Sequence, residues 1–220
     1  MSDIFQEVDE EVRRDRAVEF WSKHQNHLLA LAAVIVLATG GFRFWQYHRT
    51  QLQQAAGAAF QNALKLDAAG KPDEARAALV KLQAEAPKGY AALSRFIEAG
   101  LTAKTDPKAG AVAFDALAAD SALDPLLRDT AKLRAALARV AAGETEAARP
   151  ALEALAAAGP YRDTARLTLA SLAIAAKDYR TAKTWLDGVA ADFGASQSDR
   201  RTADALLGLV ASQAPTPKTP

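Results

Sequence analysis

Cysteine is absent from all 220 residues of the chain. That excludes disulfides, thiol catalysis and cysteine-type zinc sites, and it suits an oxidising compartment. Aromatic residues are scarce at 7%, and long alternating β-branched stretches are missing, so nothing foreshadows a sheet. Neither sign of charge dominates. The formal net charge is +1, and from Thr50 onward 21 Lys and Arg stand against 19 Asp and Glu. Such a balance offers nucleic acid no basic field to meet. Catalytic signatures are missing as well: there is no GxSxG, HExxH, Walker loop or Gly-rich dinucleotide turn. The histidines His24, His27 and His48 flank one apolar segment, and no carboxylate or third ligand stands at a zinc spacing from His24 and His27. Carboxylate pairs such as Asp73 and Glu74 fall in helix first turns, where they complement the helix dipole. These absences point away from an enzyme, a cofactor, a metal centre and a small-molecule substrate.

What the chain does have is alanine. Half of its residues are apolar, and alanine, the best helix former, supplies much of that half. An all-α protein is predicted. Beyond the first 50 residues, roughly 170 remain, enough for one domain with a real core.

One segment stands apart. From Gln25 to Phe42 no residue is charged, and a spanning helix needs about 20 mostly apolar residues. Leu28 to Tyr47 meets that length with a single charge, Arg43, near its end. An arginine there can extend its head group to the interface. Trp21 on one side and Trp45 with Tyr47 on the other bracket the span. The two tryptophans lie roughly 36 Å apart along a helix, close to the spacing of interfacial aromatic belts. A cleaved signal would open with a short basic region; here the preceding residues are rich in acid, although Ala38-Thr39-Gly40 could pass for a cleavage site. A soluble core helix would interpose polar residues every few positions. The segment reads as a permanent anchor with interface residues Trp21, Arg43, Trp45 and Tyr47.

Orientation follows from lysine and arginine alone. Arg13, Arg14, Arg16 and Lys23 precede the span, while Arg43 and Arg49 follow it, with Lys65 beyond. This places the N-terminus in the cytoplasm and exports the C-terminal portion. The acidic residues 7 to 11 count little in that rule. With Asp9–Arg13, Glu10–Arg14 and Glu19–Lys23 at helical spacing they read as a solvated helix. A docking role for that tail is the alternative.

After the span the sequence repeats. RDTAKLRAALARVAAGETEAARPALEALAA begins at Arg128, and RDTARLTLASLAIAAKDYRTAKTWLDGVAA begins at Arg162, an offset of 34 residues without a gap. A 34-residue period of paired helices is the tetratricopeptide signature. Small residues on the second helix of each pair fall at Ala75, Gly110, Ala148 and Ala182. On the first helices they fall at Ala63, Ala136 and Ala170, and in the second repeat the position lands on Glu98 beside Ala99, a register slip of one. The turns Gly70-Lys71-Pro72-Asp73, Thr105-Asp106-Pro107, Gly143-Glu144 and Lys177-Asp178 separate the helices. Between Tyr47 and Leu66 there is no proline and only Gly57. The spanning helix is therefore expected to run unbroken into the first repeat, holding the stack near the bilayer.

The expected architecture is all-α: a single transmembrane helix followed by a tetratricopeptide-like α-solenoid of about four helix pairs with a C-terminal capping helix near 201–212. The expected divisions are 1–27, an acidic cytoplasmic segment; 28–47, the span; 48–213, the repeats; and 214–220, a disordered tail.

The span ends in Gly41-Phe42-Arg43-Phe44-Trp45. Gln61-Asn62-Ala63 lies on the first repeat helix, Gly70-Lys71-Pro72-Asp73 at its turn, and Tyr90-Ala91-Ala92-Leu93 opens the second repeat. With the acidic N-terminal tail, these features make the chain resemble the YfgM-like ancillary subunits of the SecYEG translocon, which share their repeat domain with envelope division-coordinator proteins. The resemblance covers essentially the whole chain. It implies a bacterial inner-membrane protein whose periplasmic repeats meet translocon channel subunits and a periplasmic chaperone. A scaffold for another envelope assembly, in division or wall synthesis, is the alternative, and an anchored enzyme subunit belongs to a different class.

Many tetratricopeptide domains place Lys, Arg and Asn on the inward face of each first helix to clamp a peptide carboxylate. The comparable positions here are Thr130, Leu133, Leu137 and Val140, then Thr164, Leu167, Ser171 and Ile174. Either they pack against neighbouring helices and the cap, or Leu133, Leu137, Val140, Leu167 and Ile174 line a groove for an apolar or amphipathic partner segment.

Overall fold

The computed structural model describes residues 3–213, without the side chains of residues 3–13, 15–17, 19, 20, 24, 27 and 28. The expectations for the tail 214–220, for His24 and His27, and for the pairs Asp9–Arg13, Glu10–Arg14 and Glu19–Lys23 lie outside the described residues. Within them the chain is all-helical. The helices are α1 (Asp3–Ala68), α2 (Pro72–Glu85), α3 (Lys88–Thr105), α4 (Pro107–Ala119), α5 (Pro125–Ala141), α6 (Thr145–Ala157), α7 (Arg162–Ala175), α8 (Tyr179–Ala190) and α9 (Gln197–Gln213). The chain divides into two compact units, Met1–Ala55 and Ala56–Pro220.

Among the described residues the first unit is a single helix, part of α1. α1 passes through Tyr47–Leu66 without interruption, as the lack of proline there predicts. It contains a stretch, Leu29–Ala68, long and apolar enough to cross a membrane, and none of its apolar window is buried within the chain. Leu29, Leu31, Val34, Ile35, Val36 and Leu37 are all exposed. A core helix would bury one face of such a window, and this window buries none. The Thr39 hydroxyl donates to the Ile35 carbonyl at 2.7 Å, so its polar group is satisfied inside the helix, as an apolar medium demands.

The second unit is built from repetition. The end of α1 pairs with α2, then α3 with α4, α5 with α6 and α7 with α8, and each helix packs on the next in the chain. Ala75, Gly110, Ala148 and Ala182 are all buried on the second helices, and Ala63, Ala99, Ala136 and Ala170 on the first. In the second repeat Ala99 takes the small position. Glu98 is half-buried and accepts a hydrogen bond from Gln83 Nε2 at 2.6 Å. Small residues at these sites let helix backbones approach, and larger ones fill the space between. Leu79, Phe114, Leu152 and Leu186 follow the second-helix anchors by four residues and are buried, as are Leu82, Leu117, Leu155 and Val189, which follow by seven. Each such side chain contributes about 1.5–3 kcal/mol of burial.

The apolar interior is four clusters in series. Each draws on three consecutive helices: the end of α1 with α2 and α3, α3 to α5, α5 to α7, and α7 to α9. This is the layout of a solenoid, in which a repeat touches only its neighbours. α9 closes the series. Its Ala203 is fully buried and its Val210 nearly so, so α9 occupies the place that the first helix of a further repeat would take.

Helix ends follow local chemistry. Pro72, Pro107 and Pro125 each open a helix, where the missing N–H costs nothing. Asp106, Asp124 and Asp178 cap the next helices by accepting backbone N–H bonds from Ala109, Leu126 and Thr181. Three of the four turns within repeats share one geometry. At the first, Gly70 N–H bonds to the Asp67 carbonyl and Lys71 N–H to that of Leu66. Gly143 with Glu144 and Lys177 with Asp178 reproduce the pattern, a Schellman closure that needs a left-handed residue. Gly70 and Gly143 supply φ of 74° and 78°, but in the fourth repeat the residue is lysine, at φ 60°. Lys177→Gly is therefore expected to stabilise the domain by roughly 1 kcal/mol, raising its melting temperature by about 2–4 °C in a circular-dichroism melt.

Candidate interaction surfaces

Register positions on the first helices define the inward face of the repeats. Leu133 is only 6% exposed and belongs to the cluster between α5 and α7, so it offers a partner little surface. Leu137 and Val140 are half-buried against that same cluster. Leu167 and Ile174 are half-buried against the last cluster, to which α9 contributes Leu206 and Leu207. Thr130 is tied down: its hydroxyl lies 2.8 Å from the Leu126 carbonyl, to which it donates, and 2.6 Å from the Tyr161 hydroxyl. Thr164 and Ser171 are exposed.

The first two repeats extend this face, which sequence reasoning confined to the last two. Counting from Ala63, the matching positions are Gly57, Phe60, Leu64 and Asp67; from Ala99 they are Leu93, Phe96, Gly100 and Ala103. Leu64 and Leu93 are 39% and 43% exposed. Phe60 lies 6.0 Å from Tyr90, and Phe96 lies 6.2 Å from Phe114, ring centre to ring centre. In the first repeat the signal was available by counting from Ala63; in the second the one-residue slip at Glu98 and Ala99 hid it. Across all four repeats Asp67 is the one charged residue in these positions, and Lys104 pairs with it at 2.9 Å. At these register positions no lysine or arginine stands to clamp a carboxylate. The face can hold an apolar surface.

Charge serves instead to join helices. Arg95 of α3 pairs with Asp120 at 2.6 Å, Lys108 of α4 with Glu144 at 2.9 Å, and Arg139 of α5 with Asp115 of α4. Arg166 of α7 donates to the carbonyls of Ala156 and Gly188, both at 3.1 Å. With Arg162 it also faces Asp192 after α8. Hydrogen bonding from Arg95 holds the Asp120 carboxyl below the usual aspartate range, and bonding from Thr181 does the same for Asp178. The Glu144 carboxylate raises Lys108 above the usual lysine range. A depressed carboxyl adds stability above its unfolded pKa, and that stability is lost as pH falls through the folded value. A raised lysine adds stability that is lost as pH rises through its own folded value. Melting temperature against pH is thus expected to show a plateau through neutrality, with an acid limb opening below roughly pH 4. Asp120→Asn, measured by the same melts, should flatten part of that limb.

The four interface positions all lie on α1. Trp21, Trp45 and Tyr47 are exposed, as is Arg43. Beside them, Phe42 and Trp45 stack at a tilt with ring centres 6.1 Å apart, and the Arg49 guanidinium sits 5.4 Å from the Trp45 ring centre. Among the described residues no group of three or more His, Asp and Glu is placed to hold a metal ion.

Comparison with known proteins bears on the same features. A family described as tetratricopeptide repeat-like domain matches residues 18–159, and a second, described as tetratricopeptide repeat, matches residues 139–207. No curated protein and no solved structure matches the chain. The first match covers more than half of the sequence and the second continues it to α9, in accord with the serial clusters and the 34-residue register. The chain belongs to the tetratricopeptide repeat-like domain family.

Proposed function

We propose that this protein is a membrane-anchored, non-enzymatic interaction subunit of the bacterial inner membrane, ancillary to the SecYEG translocon and linking it to periplasmic chaperones. The observation that carries the reading is the pairing of two features in one chain. One is a long apolar helix segment with no burial of its own. The other is a repeat face whose one charged register residue is already paired. Emerging polypeptides and the chaperones that receive them present apolar segments, which such a face suits. The lysine and arginine bias around the span supports a cytoplasmic N-terminus and periplasmic repeats, and the resemblance to translocon subunits supports the choice of partner.

Two experiments test this. The first is topology. The chain has no native cysteine, and Lys71 is exposed beside a glycine of positive φ that should be left alone. Lys71→Cys in intact cells should react with a thiol reagent that cannot cross the inner membrane; labelling only after lysis reverses the orientation. The second is co-purification in mild detergent after cross-linking. Recovery of translocon channel subunits supports the assignment, whereas recovery of division or wall-synthesis components in their place transfers the protein to that assembly.

A further inference from the structure

From Phe20 through Leu66 the sequence contains no Asp or Glu, yet it holds Lys23, Arg43, Arg49 and Lys65. All of these lie on α1. The nearest carboxylates along that helix, Glu19 and Asp67, are each 24 residues from Arg43, or roughly 36 Å of helix in either direction. Arg43 therefore has no counter-ion on its own element. Its guanidinium stays ionised at any physiological pH and carries five donors.

One polar stripe of the helix runs on from Arg43. Arg43, Gln46, Tyr47 and Thr50 line a shallow recess, at the i, i+3, i+4, i+7 spacing that stacks side chains on one face. The Thr50 hydroxyl is already spent on the Gln46 carbonyl at 2.9 Å. The Gln46 amide and the Tyr47 hydroxyl remain beside the guanidinium. On another face Arg49 covers the Trp45 ring, a cation–π contact that holds the indole at this level. The residues before Arg43 are uncharged back to Gln25, so the stripe starts where the apolar run stops. With the span in a bilayer, the fixed anion at that depth is a lipid phosphodiester, whose oxygens match the arginine fork bidentately. A zwitterionic headgroup brings its own ammonium to that phosphate; an anionic one leaves it unpaired.

We propose that Arg43, with Gln46 and Tyr47, forms a headgroup site for an anionic phospholipid at the C-terminal end of the span. The site rests on the anchor reading above. The test uses the full-length chain carrying Trp21→Phe, so that Trp45 reports on this interface while Trp185 adds a background common to every sample. The protein is placed in phosphatidylcholine vesicles into which brominated phosphatidylglycerol or brominated phosphatidylcholine is titrated. Quenching by the glycerol lipid is expected to show about fivefold stronger apparent binding. Arg43→Gln should bring that ratio close to one, and Arg43→Lys should retain part of it. Equal quenching by both lipids in the parent, or an undiminished ratio in Arg43→Gln, overturns the site while leaving the anchor intact. Failure of either lipid to quench Trp45 overturns the anchor reading, and the site with it. Brominated phosphatidylcholine also confirms that each variant has inserted, so a lost ratio cannot be mistaken for lost insertion.

Discussion

Leu152→Ala is expected to destabilise the repeat domain by about 2–5 kcal/mol. Leu152 is fully buried on α6, in the cluster that joins α5, α6 and α7. The cost of such a truncation depends on whether the surroundings collapse into the space. Here part of the surroundings is fixed, although Leu133, Leu155 and Leu169 share the cluster. Ala136, Ala148 and Ala165 have no exposed surface and belong to the same cluster, and alanines have no rotamers with which to fill a void. Whatever cavity persists beside those alanines adds to the loss. Urea denaturation measures it as a fall in midpoint. In a solenoid, stability is a sum of repeat and interface terms. The same substitution also weakens the link between the repeats on either side, and a reduced denaturant slope would reveal that the two ends unfold separately. Leu209→Ala on α9 is the matched control: Leu209 is 44% exposed, and its loss should cost little. A Leu152→Ala midpoint within error of the parent would mean that α5 to α7 do not share a core.

Much of this architecture is legible in the residue order, because a repeat writes its packing rule several times over. The recurring small residues at Ala75, Ala148 and Ala182 predict where backbones meet, and burial at those positions follows. Lys177 could also have been read as a left-handed residue, since it lies 34 residues after Gly143 in an otherwise matching turn. Features that depend on contact between distant residues were harder to see. The aromatic pairs Phe60–Tyr90 and Phe96–Phe114 extend the inward face into the first two repeats, but nothing local marks them as partners. α9 was foreseen only as a cap, because its fit beside α8 depends on Ala203 and Val210 meeting a surface made by two earlier helices. The register positions themselves are legible as mostly apolar or weakly polar, with Asp67 the one charge among them.

Gly110→Ala should destabilise the protein by about 1–3 kcal/mol or more, although alanine is the better helix former by about 1 kcal/mol. Its counterparts Ala75, Ala148 and Ala182 already carry a methyl at the equivalent position, so the register alone suggests that alanine would be welcome. The connection to α4 explains the exception. α3 ends at Thr105 and α4 begins at Pro107, leaving Asp106 alone between them, whereas the other helix pairs are joined by 69–71, 142–144 and 176–178. A one-residue link draws the start of α4 hard against the end of α3. A Cβ built on Gly110 would stand 2.3 Å from the Ala103 Cβ, 2.4 Å from its Cα and 2.7 Å from its nitrogen. Two of those three atoms are backbone, so no rotamer change relieves the clash; the helices must part, and the Phe96–Phe114 contact beyond them must loosen. Ala103→Gly in the same chain should therefore rescue only part of the loss, because the Cα and nitrogen stay in place. Gly100→Ala on α3 meets nothing within 4 Å and should instead stabilise by up to about 1 kcal/mol. Thermal melts of the three variants separate helix propensity from helix approach. Equal gains from Gly100→Ala and Gly110→Ala would mean that α3 and α4 do not approach as closely as the single-residue link requires.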